Sequence, residues 1–333
     1  MSGSRPSDTH LPDSCLPERR LPDSHPPDLR QAHDAARAIG AAALGCDPGP
    51  MVIVESSSHH VYVGSGAVVK IIDAAGHTRL DRETVLASQL PAGLTAPLLG
   101  SGLHRLGTRD IRYACYARAP GAAPGVGLPG ADGGTVRRWA QEAVRRLGLL
   151  HTWAPSERAA RTLGEPLDHG GFVGRDALAA EVERLAALDR HRTVRPRLLA
   201  GVAAIAERAP LPVRALVPVH ADCHWDNWLA DDRGVTALLD FEWARFGEPA
   251  DDWFFLARFS GPHMETVLDV IARTTGTSPG LLRARCEARE AAHLVSDLRI
   301  ACEHPAGSAR MAADRLRDLE ELVVGRYWWR HAR

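Results

Sequence analysis

Between Leu216 and Glu242 the chain sets three polar side chains at a spacing that few folds can use. Asp222 is followed five residues on by Asn227 and thirteen residues later by Asp240, within His220-Ala-Asp222-Cys-His-Trp-Asp-Asn227 and Leu238-Leu-Asp240-Phe-Glu242. Leu216-Val217-Pro218-Val219 predicts a strand entering a loop, and Asn227-Trp228-Leu229 a strand leaving it. Asp231-Asp-Arg-Gly234 predicts a turn, and Val235 to Leu239 the returning strand. A hairpin of this kind sets Asn227 beside Asp240 and leaves Asp222 at the mouth of the loop.

A second constraint stands near the other end. Lys70 is the only lysine in the chain, and it lies in Ala67-Val-Val-Lys70-Ile-Ile72, an apolar, β-branched run that predicts a buried strand. A buried ammonium without a partner is costly, so Lys70 requires a carboxylate. Glu83, in the helical pattern Leu80-Asp-Arg-Glu83-Thr-Val-Leu, is the candidate. An ammonium held in that way can reach the α- and β-phosphates of a nucleotide.

Composition narrows the remaining classes. A net charge of −1 and a pI near 7 provide no field that would steer the chain to nucleic acid or a membrane surface. The first thirty residues lack the apolar core of a secretory signal, and no apolar run is long enough to span a bilayer. Six scattered cysteines without a Cys-x-x-Cys pair point to reduced thiols and a cytoplasmic location. The sixteen histidines cluster only at His59-His60 and His220/His224, without further ligands at zinc-like spacing. His220 is better read as an orienter of the loop that carries Asp222.

Along the chain, residues 1–28 are Pro-, Ser- and Asp-rich, repeat Leu-Pro-Asp-Ser at 11–14 and 21–24, and are expected to be a disordered tail. A helix is expected over 28–44, strands at 51–54, 60–63 and 67–72, a helix over 78–90, and strands near 96–103 and 112–118. The Gly- and Pro-rich stretch 121–134 reads as a hinge. Beyond it, helices are expected at 135–153, 176–188, 197–207, 251–258, 263–274, 278–303 and 309–329. The expected fold is therefore α+β and bilobal: a small antiparallel sheet lobe with one helix over 29–118, and a larger, mainly helical lobe over 119–333.

Taken together, these residues resemble the aminoglycoside phosphotransferase and choline-kinase-like group of the protein-kinase-like fold. His220-x-Asp222-x-His224-x-x-Asn227, Asp240-Phe-Glu242 and Gly247-Glu-Pro-Ala-Asp-Asp252-Trp are similar to its signatures. The resemblance implies that Asp222 is the catalytic base, that Asn227 and Asp240 are magnesium ligands, and that Lys70 and Glu83 are the phosphate-binding pair. It also implies that Asp252 is a buried structural acid and that the strand Tyr113–Arg118, with Tyr116, contacts adenine through its backbone. Three features depart from the pattern. Glu55-Ser-Ser-Ser-His-His60 has no glycine, so Ser57 and Ser58 would hold the phosphates, while Gly64/Gly66 reads as a hairpin turn. Glu242 adds a third carboxylate, which either binds magnesium or substrate or faces solvent. Trp225 either packs, the favoured reading, or lines the acceptor pocket.

The implied reaction is ATP- and Mg²⁺-dependent phosphorylation of a hydroxyl on a small molecule, an antibiotic being the leading acceptor. Acids after Phe259 are roughly balanced by arginines, which suits a less cationic acceptor as well as an aminoglycoside. A metabolite kinase acting on homoserine, choline, an amino sugar or a fructosamine is the alternative. Choline would need an aromatic cage, and only 5% of the chain is aromatic. A nucleotide-binding pseudokinase with a partner-binding role is disfavoured by the full set Lys70, Asp222, Asn227 and Asp240.

Overall fold

A computed structural model describes residues 29–54, 56, 59–76, 78–167, 171–211, 216–305 and 308–330. The expected disordered tail, and the expected phosphate ligands Ser57 and Ser58, lie outside the described residues.

The first half of the fold is a five-stranded antiparallel sheet in the order β1-β2-β3-β5-β4. Its strands are β1 (Val52–Val54), β2 (His60–Val63), β3 (Ala67–Asp73), β4 (Leu98–Leu106) and β5 (Arg109–Ala117). Strand alternation divides β3 cleanly. Val69 and Ile71 are fully buried against α1 (Leu29–Leu44), whose apolar residues Ala32, Ala35, Ala36 and Ile39 recur at helical spacing and form one stripe. Val68, Lys70 and Ile72 take the opposite face, on the side of α2 (Arg79–Ala87). Gly64 and Gly66 sit in the β2–β3 turn, where Gly64 N donates to Ala67 O at 2.8 Å. They form the hairpin turn that the sequence suggests. Strands β4 and β5 run longer than expected because Gly107, at φ +60°, joins them in a tight turn.

The second half is helical. Its elements are α3 (Gly133–His151), α4 (Glu157–Gly164), α5 (Arg175–Leu188), α6 (Pro196–Arg208), α7 (Pro249–Arg258), α8 (Met264–Thr275), α9 (Pro279–Glu303) and α10 (Ala309–Val323). The expected last helix stops at Val323, and Arg326 at φ +47° starts a separate 3-10 turn. Helix α4 was not expected from the sequence. Ser156 caps it by accepting from Ala159 N. Helix α7 is the hub of this lobe, buried from Ala250 to Arg258. Burial of its charges demands partners. Asp251 pairs with Arg289 at 2.5 Å and Arg245 at 3.0 Å, and Arg258 pairs with Glu290 at 2.5 Å.

Two small ribbons lie between the sheet and the helices. Strand β6 (Val217–Val219) pairs with β9 (Arg245–Gly247), and β7 (Trp228–Ala230) pairs with β8 (Val235–Leu238). The β7–β8 hairpin follows the expected pattern, except that Asn227 ends a 3-10 turn instead of starting the strand. Asp231 pins the turn by accepting from Arg233 N at 2.8 Å and Gly234 N at 3.1 Å.

Candidate active site

The loop from His220 to Asn227 is shaped by a carboxylate beneath it. Asp252, fully buried on α7, accepts from His220 N at 3.1 Å and from Ala221 N at 2.7 Å. His151, the last residue of α3, contacts the same carboxylate through Nε2 at 2.8 Å. Aiming two successive N–H groups at one acceptor puts Ala221 in the left-handed region, at φ +62°. The His220 ring then fixes the loop from within. Its Nδ1 accepts from Asp222 N at 3.2 Å, so Nε2–H donates to Leu239 O at 2.8 Å. Burial lowers its pKa, which favours this neutral tautomer.

Asn227 closes the loop from its far end, donating Nδ2 to Asp222 O at 2.7 Å and to Asp222 Oδ2 at 3.2 Å. Trp225 packs and does not line a pocket: it is fully buried, and its Nε1 donates to Ser260 Oγ at 2.8 Å. Trp228 Nε1 holds Cys223 O at 3.0 Å.

Asp240 leaves β8 at φ +67°, again left-handed, and its Oδ1 lies 3.1 Å from Lys70 Nζ. Lys70 also donates to both oxygens of Glu83, at 3.0 and 2.9 Å. Lys70, Glu83 and Asp240 thus meet across the gap between sheet and helices, Lys70 and Asp240 being 170 positions apart in sequence. Burial would lower the Lys70 pKa, but Asp240 and Glu83 outweigh it and keep the ammonium charged. Burial likewise opposes the Asp240 charge, yet Lys70 holds its carboxyl at about 2. At Asp222 burial raises the carboxyl well above the usual range, Asp240 and Glu242 push in the same direction, and the Asn227 hydrogen bond and the Arg79 charge oppose the rise without cancelling it.

Two side chains do what the sequence did not reveal. The Tyr116 hydroxyl donates to Glu83 Oε1 at 2.8 Å and braces the Lys70 partner. Glu242 does not face solvent. It is 4% exposed, 3.6 Å from Arg79 Nη1 and 4.0 Å from His59 Nε2, and burial followed by the Asp240 charge pushes its carboxyl up to about 8. Arg79 and His59 carry no local signal, because their partner is more than 160 residues away in sequence.

A sheet lobe and a helical lobe with a buried Lys–Glu pair facing an Asp–Asn–Asp loop and hairpin define the protein-kinase-like class. The family model described as the phosphotransferase enzyme family matches residues 56–288, and the chain belongs to that family: it is a phosphotransferase acting on an alcohol group of a small molecule. No curated protein sequence is significantly similar to it. Solved structures with the same fold include a thermostable mutant of aminoglycoside phosphotransferase APH(4)-Ia with ADP and hygromycin B, at 16% identity and TM-score 0.57, covering 86% of this chain and 97% of that one. The GDP complex of aminoglycoside 2'-phosphotransferase-IIIa matches at 13% identity and TM-score 0.66, covering 83% and 93%. Macrolide 2'-phosphotransferase MphH from Brachybacterium faecium matches at 21% identity and TM-score 0.60, covering 86% and 98%. At these identities the likeness establishes the fold.

Proposed function

We propose that this enzyme transfers the γ-phosphoryl group of ATP to a hydroxyl of a natural-product antibiotic in the cytoplasm, inactivating it. The observation that carries the reading is the convergence of Lys70, Glu83 and Asp240 beside the Asp222–Asn227 pair. The nucleotide-binding lobe is taken as 29–118 and the catalytic, substrate-binding lobe as 119–333. Val68, two residues before Lys70 on the same face of β3, and Val61 and Val63 opposite it on β2 offer an apolar surface to a base. The backbone of the strand through Tyr116 borders that surface.

The donor set fits magnesium. Asn227 gives its Nδ2 to Asp222, which leaves Oδ1 for a cation, and Asp240 supplies an ionised carboxylate. One carboxylate and one amide oxygen, completed by phosphate oxygens and water, is the usual protein share for this ion. When bound, magnesium would neutralise charge on the triphosphate.

The chain's own residues do the rest. Lys70, held by Glu83, exchanges Asp240 for phosphate oxygens. Asp222 orients the acceptor hydroxyl and receives its proton as the oxygen–phosphorus bond forms, a role suited to a carboxyl whose proton affinity is raised. Asp222→Ala and Asp240→Ala are each expected to cut turnover by about 10³-fold or more in an ATP-consumption assay over a panel of hydroxylated antibiotics. Near-wild-type turnover in either variant refutes the assignment.

A further inference from the structure

Next to the catalytic cluster lies a cavity of about 480 Å³, within the size range of small-molecule sites. It is bounded by the first turns of α2, by the end of α4 with the segment that follows, and by the 3-10 turn after Asp240. Trp243 and Arg79 both line it, the guanidinium carbon 4.8 Å from the indole centroid. Arg79 also ties the cavity to the chemistry, since it lies 3.6 Å from Glu242 and its charge acts on Asp222.

The charges around the cavity are already matched. Arg82 is buried, donates to Ala244 O at 3.0 and 2.7 Å, and lies 3.4 Å from Glu165. Asp81 pairs with Arg112 at 3.2 Å. The side chains of Asp81 and Glu165 are 56% and 60% exposed, so both carboxylates stand at the solvent edge, where pairing with a ligand cation is screened and weak. A molecule with several ammonium groups would meet two guanidiniums inside and two committed acids outside. An uncharged molecule with an apolar face would instead remove surface of Val85, Pro166 and Leu167 from water, beside the small part of Trp243 left open.

We propose that this cavity is the acceptor subsite, and that it takes an uncharged hydroxylated molecule with an apolar face, set against Val85, Pro166 and Leu167 beside Trp243, in preference to a polycationic aminoglycoside. The assignment rests on the phosphotransfer reading above, which concerns a different set of residues.

Fluorine NMR of the full chain labelled with fluorotryptophan tests it, the Trp243 resonance being assigned through Trp243→Phe. Titration with p-nitrophenyl β-glucoside is expected to shift that resonance, and titration with kanamycin at equal concentration to leave it in place. Val85→Tyr, which fills the cavity, is expected to weaken the glucoside response at least tenfold. The subsite is overturned if the glucoside leaves Trp243 unmoved, if kanamycin moves it equally, or if Val85→Tyr responds like the parent. These outcomes are separable from the catalytic reading. A Trp243 that ignores the glucoside in an enzyme whose turnover depends on Asp222 removes the subsite alone. A responsive Trp243 in a protein indifferent to Asp222→Ala removes the catalytic assignment alone.

Discussion

Asp222 is held where its ionised form is costly. Burial raises its pKa first, and Asp240 and Glu242 add to it. A carboxyl whose folded pKa exceeds its unfolded value contributes stability below the unfolded pKa, and that contribution is lost as pH rises through the folded pKa. Without magnesium, Asp222→Asn is therefore expected to raise stability at neutral pH by about 1 kcal/mol, a few degrees in Tm, while abolishing turnover. The difference should vanish below about pH 4, where the parent carboxyl is protonated in both states. Thermal melts of parent and variant across pH check this, and a variant less stable at pH 7 contradicts it. Tyr116 is open to a separate test. Its hydroxyl is a charge-assisted donor to Glu83, worth about 1.5–3 kcal/mol. Removing it loosens the carboxylate that holds Lys70 without touching the acceptor side. Tyr116→Phe is expected to raise the KM for nucleotide about tenfold and leave the acceptor KM unchanged, and steady-state kinetics with each substrate varied separates the two. An unchanged nucleotide KM would show that Lys70 and Glu83 hold each other unaided.

The loop from His220 to Asn227 depends on an element that follows it in sequence. Asp252 on α7 satisfies His220 N and Ala221 N, and it meets His151 from α3, so one carboxylate joins the loop to two helices. Asp252→Ala leaves two buried N–H groups without an acceptor and is expected to cost about 3–5 kcal/mol in urea unfolding. Asp252→Asn, which retains one acceptor oxygen, is expected to cost less; equal costs would locate the effect in packing. This acid was visible in the sequence only through the resemblance of the Gly247-to-Trp253 segment to the family signature, since Glu248 and Asp251 beside it give no local reason to single out Asp252. The β7–β8 hairpin was visible for a local reason: Asp231 and Gly234 specify its turn, and the turn fixes which residues face each other. Helix α4 was not. Eight residues give barely two turns of periodicity, and the cap at Ser156 is a single signal. The β6–β9 pair was also hidden, since two three-residue strands separated by the whole hairpin have no local pattern that announces a partner. The side-chain partners of Tyr116 and Glu242 were hidden for a third reason. Strand and turn patterns assign a face, whereas the atom met on that face comes from a distant element.

Across the whole molecule, the two lobes meet through apolar packing of Leu86 and Leu94 into the core of the helical lobe and through a few polar contacts. Lys70 in the sheet reaches Asp240 beyond the hairpin, Arg82 on α2 donates to Ala244 O, and Leu238 N donates to Leu94 O at 2.9 Å. In the proposed mechanism the first of these is the one that nucleotide replaces, with phosphate and a cation coming between Lys70 and Asp240. Two like-charged groups, triphosphate and the Asp240 carboxylate, would then face each other unless a divalent ion lies between. Nucleotide affinity should therefore depend on magnesium through Asp240. A ligand that binds only the folded state stabilises it by about 2.7 kcal/mol at a hundred times its Kd. ATP with magnesium is expected to raise the Tm of the parent clearly more than ATP with EDTA. In Asp240→Asn the repelling carboxylate is gone, so the two conditions should give nearly the same shift. Equal shifts with magnesium and with EDTA in the parent would mean that Asp240 serves only to hold Lys70, and that the cation is bound elsewhere.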